Sequence, residues 1–205
     1  MTEIRMFPLG SVLFPHMPLP LHVFEPRYRA LVHDCLAGDR TFGVVLIERG
    51  HEVGGGDVRF GTGCTARIAE AEETPDGRWG LIATGVTRFR VDSWLPDDPY
   101  PRAEVTMLDD GGWTTDASIA MDHATAVFAR VLDLAVRLGS TVDSSVLERS
   151  GDPVLDHWTL VSRAPVGALD QLSLLAAETP ERRLDLLTNQ LAEVETVLAS
   201  RLGGG

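Results

Sequence analysis

Lysine is absent from this sequence: all eighteen of its basic residues are arginine. Chemistry that depends on a side-chain amine is therefore excluded from these 205 residues, including a phosphate-binding P-loop lysine, a Schiff base and a Ser–Lys hydrolytic dyad. Cysteine is scarce. Cys35 and Cys64 match no metal or redox spacing, and both fall in segments that read as structured, which predicts buried thiols in a reducing cytoplasm. Also missing are an apolar run of about 18 residues and a charged-then-apolar leader, so a soluble chain with no membrane partner is expected. The histidines at 16, 22, 33, 51, 123 and 157 never form HxH, HxxH or HExxH. His16 and His22 lie near Glu25, but surface or cap positions are the simpler reading for all six. No GxSxG elbow accompanies the serines. The sequence thus predicts no catalytic residue, no metal and no cofactor, and a protein that is not an enzyme.

Basic charge as a whole is in deficit. Thirty acids against eighteen bases leave a net charge of −12, which repels phosphate backbones and disfavours nucleic acid as a partner. What is present is enough apolar material for a core. The chain is 44% hydrophobic, and at its length folding removes about 70% of the unfolded surface from water.

Along the chain, residues 4–14 read as a short strand broken by Pro8 and Gly10, then a second apolar run. Pro15, Pro18 and Pro20 exclude helix and central-strand pairing, so the chain runs extended there. At Glu25-Pro26 a helix is predicted to start, with Tyr28, Leu31, Val32, Cys35 and Leu36 on one face and an end near Gly38. FGVVLI at 42–47 reads as a buried strand, GHEVGGGD at 50–57 as a flexible turn. VRFGTGCTARIAEAEE and WGLIATGVTRFRVDSW, joined at TPDGR, form a long hairpin, and RAEVTML adds a strand. DDGGWTTD, 109–116, reads as a polar linker. Helical periodicity follows over Ile119–Leu138, Val154–Val161, Leu169–Leu175 and Pro180–Leu202, with a frayed GGG end. The organisation expected is α+β: a sheet-rich domain over 1–110, curled into a small barrel, and a helical domain over 115–202.

Three patterns invite a functional reading. Gly61-Thr62-Gly63-Cys64-Thr65-Ala66 has dinucleotide-fingerprint spacing, but strand-like alternation continues where that motif needs a helix, so glycines at a sheet bend are expected. Arg88 and Arg90 flank Phe89, which predicts a half-buried strand with its arginines on a solvated face, or a positive rim able to meet a carboxylate or an acidic partner segment. Leu184, Leu187, Leu191, Val194 and Leu198 make a narrow seam, which predicts packing onto the preceding helices rather than a coiled coil.

The run MFPLGSVLFPHMPLPLHVFEPRYRALV at 6–32, followed in order by FGVVLI, GTGCTARI, PDGRWGLIATGVTRFRV and PYPRAEV, resembles the N-terminal substrate-binding (LON) domain of Lon proteases. The tail LDQLSLLAAETPERRLDLLTNQLAEVE is similar to the helical extension of that family, with weaker motifs. The resemblance implies a PUA-like β-barrel followed by an α-helical bundle. In the full-length proteases it implies a region that engages unfolded or tagged polypeptides, while ATPase and Ser–Lys protease domains do the work. With no lysine here, the expectation is a stand-alone, non-enzymatic module that binds unfolded polypeptides or a protein partner. Its candidate contacts are Met17, Leu19 and Leu21 of the proline segment, with Arg88 and Arg90 as polar anchors. A small-ligand-binding barrel is the alternative reading, and RNA binding through the PUA-like fold is disfavoured by charge.

Overall fold

The computed structural model describes residues 2–49 and 58–203, so the turn expected at 50–57, with His51, and the last two glycines lie outside the described residues. Two compact units divide the chain at Asp109/Asp110. The architecture is mixed α+β, and among the described residues every strand lies in the first unit and every helix but one in the second.

The first unit holds β1 (Thr2–Leu9), β2 (Pro18–Val23), α1 (Pro26–Ala37), β3 (Thr41–Arg49), β4 (Val58–Glu73), β5 (Trp79–Leu95) and β6 (Arg102–Met107). β1 pairs parallel with β3 and antiparallel with β6; β3–β4, β4–β5 and β5–β6 are antiparallel, so the pairings β1–β3–β4–β5–β6–β1 form a closed cycle. β5 is long enough to pair with β2 over residues 79–84 and with β6 over 89–95. The break expected at Pro8 does not occur. Pro8 pairs with Val45 of β3, at a point past the last β6 partner of β1, Arg5, so its missing N–H is not required by β6.

Continuous apolar runs such as FGVVLI are explained by burial on both faces. Phe7 and Val44 join the cluster under α1, whereas their neighbours Met6 and Val45 join Phe89, Ala103 and Val105 in a second cluster. Gly63 permits that second cluster. A Cβ there would sit 2.5 Å from Phe89 Cζ and against the Val44 carbonyl, so glycine is needed for close approach, and no helix follows it. α1 starts at Pro26 as the sequence predicts and buries Tyr28, Leu31, Val32 and Cys35. Burial of each such side chain is worth about 1.5–3 kcal/mol. The Phe7 and Tyr28 rings stack at 4.2 Å and lock the helix to β1.

The second unit contains α2 (Thr115–Arg137), a 3-10 turn at Ser144–Leu147, α3 (Pro153–Ser162), α4 (Ala168–Ala176) and α5 (Pro180–Gly203). The expected linker ends earlier than its composition suggested: Thr114 caps α2 by accepting the Ala117 N–H, so Thr115 and Asp116 are already helical. α2 and α5 pack along Met121, Ala124, Phe128 and Leu184, Leu187, Leu191, and Arg130 grips Glu195 through two bonds of 2.6 and 3.0 Å. The seam of α5 thus serves internal packing.

One buried cation organises this unit. Arg183, fully buried, donates to the carbonyls of Leu174 (2.8 Å) and Ala177 (2.7 Å) at the end of α4 and to Asp110 Oδ1 (3.1 Å). Its guanidinium lies 4.1 Å from the Trp158 ring centroid and 3.2 Å from His157 Nε2. A guanidinium only donates, so Nε2 accepts and the His157 imidazole is neutral with its proton on Nδ1. His157 is buried between Trp113 and Trp158, which corrects its expected surface position. No described helix is long and apolar enough to cross a membrane.

Candidate functional groove

The prolines decide how β2 is used. Pro18 and Pro20 have no N–H, so the ladder to β5 must run through Leu19, Leu21 and Val23, and two donors are missing from the outer edge of the strand. The edge is thereby a poorer template for strand addition. The alternation then turns Leu19, Leu21 and Val23 toward the core and Pro18, Pro20 and His22 outward.

This phase relocates the expected contact residues. Met17, Leu19 and Leu21 are half-buried and packed against the core under α1, rather than displayed. Phe24, which is not among the residues expected at the contact surface, is 52% exposed at the corner between β2 and α1. The signal for it is the alternation itself: Phe24 falls on the outward phase with Pro18, Pro20 and His22.

Across the sheet, the register aligns three outward rows: His22, Gly80 and Glu72; Pro20, Ile82 and Glu70; Pro18, Thr84 and Arg67. Gly80 leaves a dip in the first row, with open space where a Cβ would stand. A groove of about 660 Å³ occupies this end of the sheet, walled by His22 and Phe24 on one side, Glu72 on the other, and Trp79 with the 74–78 turn at the end. That volume lies within the range of about 300–1,000 Å³ usual for ligand sites. A smaller depression of about 180 Å³ continues from it past Phe24 to Leu21 and Tyr28. Trp79 also borders a third hollow, lined by Arg29, His33 and Glu73.

The turn that ends the groove is held firmly. The Thr74 N–H donates to the Arg78 carbonyl and the Gly77 N–H to the Thr74 carbonyl, each at 2.8 Å. The Thr74 hydroxyl donates to Asp76 Oδ1 at 2.5 Å, and this bond, with help from the Arg78 N–H, holds the Asp76 carboxyl below its usual range. Gly77 takes a positive φ of 77°, and the Arg29 guanidinium of α1 lies where its Cβ would be, so α1 supports the turn from beneath.

The arginine pair is separated by the fold. Arg90 is exposed and 3.7 Å from Asp92, as a solvated rim requires. Arg88 is 1% exposed and donates from Nη2 to the Asp109 carbonyl at 3.4 Å, which corrects the expectation of a solvated face for both. The two arginines keep the same face, since 88–90 pair in unbroken register with 64–62; they differ in neighbours, Arg88 standing beside the fully buried Cys64 and Arg90 beside the half-buried Thr62. Glu25 and Arg27 form a local ion pair at 3.2 Å.

Both cysteines are buried and free, and burial pushes the Cys35 thiol up to about 12, where it is inert as a nucleophile. Among the described residues no three His, Cys, Asp or Glu side chains converge as metal ligands.

Comparison with known proteins agrees with this fold. The family model described as the ATP-dependent protease La (LON) substrate-binding domain matches residues 3–193. The solved Lon N-terminal domain protein from Xanthomonas campestris superposes with a TM-score of 0.67 at 28% identity, covering 92% of this chain and 98% of the other. The N-terminal domain of a Mycobacterium avium complex Lon protease shares the fold at the same TM-score and 15% identity, over 94% of this chain and 99% of that one. Among curated relatives, a Lon protease of Cytophaga hutchinsonii is 37% identical over 48% of this chain and 12% of its own length. Lon protease 2 of Herpetosiphon aurantiacus is 26% identical over 96% of this chain and 24% of its own. The chain thus spans about an eighth to a quarter of the curated relatives it matches.

Proposed function

Since the chain belongs to the family of ATP-dependent protease La (LON) substrate-binding domains, we propose that it is a non-enzymatic polypeptide-recognition module and that the Phe24–Trp79 groove is its contact surface. The observation that carries this reading is the exposed aromatic at a stiffened corner: Phe24 stands free beside an open groove whose walls are fixed by β2 prolines and the 74–78 turn. A surface ordered before binding avoids much of the entropy cost of association, and aromatic side chains contribute most of the energy at such contacts. The closed cycle of strands supports reading the first unit as the PUA-like barrel of that family, with the helical unit as its bundle, over 1–110 and 115–202. Leu21 keeps a place in this proposal because it lines the adjoining depression, and Arg90 because it is exposed; Met17 and Leu19 act from beneath, by supporting the face. The lack of lysine supports a non-enzymatic role for these 205 residues.

Fluorescence anisotropy with labelled peptides from an apolar-rich unfolded library tests the reading. Saturable binding is expected, weakened about tenfold by Phe24→Ser, since loss of one aromatic contact is worth about 1–1.5 kcal/mol. Absence of saturable binding, or equal affinity of the variant, refutes it. The groove volume also suits a small ligand, and a thermal-shift screen with small molecules reads that alternative separately.

A further inference from the structure

We infer that the groove selects polypeptide segments in which an apolar or aromatic residue is flanked by lysine or arginine. This rests on the polypeptide-recognition reading and concerns which polypeptides that surface takes.

The argument is one of charge complementarity around an apolar floor. Phe24 and the bare backbone of Gly80 supply apolar surface in the groove, with Glu72 as its far wall, and the next row of the same face carries the exposed Ile82 and ends at Glu70. Glu73 follows at the end of the same strand and faces the hollow beyond Trp79. All three glutamates are exposed, and among the described residues none is in an ion pair. The one arginine lining the main groove, Arg78, is held by Asp76 at 3.0 Å, so it offers little free positive charge. A segment lying over Gly80 with its apolar side chain against Phe24 therefore brings its neighbours to carboxylates on the β4 side. The net charge of −12 acts in the same direction at longer range, drawing in basic chains and repelling acidic ones.

Gly80 supplies a clean probe. Its φ is not in the left-handed region and nothing lies within 4 Å of a Cβ built there, so Gly80→Val directs its side chain into open space in the groove and places a strand-favouring residue in β5. The experiment measures anisotropy of three fluorescein-labelled dodecapeptides sharing a Leu-Phe-Leu centre, flanked on each side by two lysines, two serines or two glutamates. It uses the unaltered chain, Gly80→Val and Glu72→Gln, with circular dichroism confirming that each variant is folded. The lysine peptide is expected to bind about two- to fivefold tighter than the serine peptide, the gain usual for an exposed ion pair, and the glutamate peptide weakest. Glu72→Gln should narrow the lysine-to-serine ratio, raised salt should do the same, and Gly80→Val should weaken all three peptides at least tenfold.

The outcomes separate the two ideas. If Gly80→Val weakens binding but the three peptides bind alike, the charge preference is overturned while the groove reading stands. If Gly80→Val leaves binding intact, or no peptide binds, the groove reading itself fails and the preference with it.

Discussion

Arg183→Met is the sharpest test of how the helical unit is held. The substitution keeps most of the side-chain volume but removes donors to the Leu174 and Ala177 carbonyls at the end of α4, the bond to Asp110, and the cation over Trp158. Donors from a charged group to buried acceptors are worth about 1.5–3 kcal/mol each, and a buried cation–π contact about 2 kcal/mol. Against this stands the relief of burying a guanidinium, which can offset much of the loss when the replacement is apolar. Asp110 retains partial access to water, so it adds little stranded charge. The balance is a loss of about 2–4 kcal/mol, a large fraction of the stability of a single domain. Arg183→Lys should recover under half of it, because one ammonium cannot reproduce a planar fork that reaches four acceptors, the Leu174 and Ala177 carbonyls, Asp110 Oδ1 and His157 Nε2. Urea unfolding followed by tryptophan fluorescence is the assay, since Trp113 and Trp158 both stand beside His157 in this cluster. A change under about 0.5 kcal/mol for Arg183→Met would refute the claim that this cation ties α4 to α5, because surface substitutions stay within that range.

Two further predictions concern the sheet unit. Gly63→Ala should cost about 1–3 kcal/mol in chemical denaturation, because its Cβ meets Phe89 and the Val44 carbonyl, whereas Gly80→Ala, facing open space, should be neutral or slightly stabilising. Equal effects at the two positions would remove the packing explanation. Burial raises the Cys35 thiol from 9.0 to about 12, so between those values the unfolded chain has lost a proton that the folded one retains. Stability should therefore fall as pH rises above about 9, by up to about 1.4 kcal/mol per pH unit from this group. The burial that raises Tyr100 acts with the same sign, so the test is a comparison of slopes, and Cys35→Ala should flatten the alkaline decline. An unchanged slope contradicts the assignment.

Local pattern carried much of the fold. α1 was legible because Pro26 suits a first helical position and Tyr28, Leu31, Val32 and Cys35 recur at helical spacing, and the ends of β4 and β5 followed from alternation around a Pro-Asp-Gly turn. The contact surface was only half legible. The prolines announce an extended segment, but its apolar composition alone does not show that Leu19 and Leu21 face inward while Phe24 faces out. Apolarity says that a residue can be buried; the phase of its strand against a partner says whether it is.

By itself the sequence determined the elements of this protein, the chemistry these residues lack and the family whose ordered motifs they match, because propensity, periodicity and residue identity are properties of short stretches of chain. Only the tertiary structure decided that Arg88 and Arg183 are buried while Arg90 is not, that β6 returns to close the cycle of strands, and that Phe24, Gly80 and Glu72 border one groove. Residues 24, 72 and 80 come from separate strands and a corner, and nothing local relates them. Their proximity follows from pairing register, which long-range burial sets and which a one-residue slip would invert.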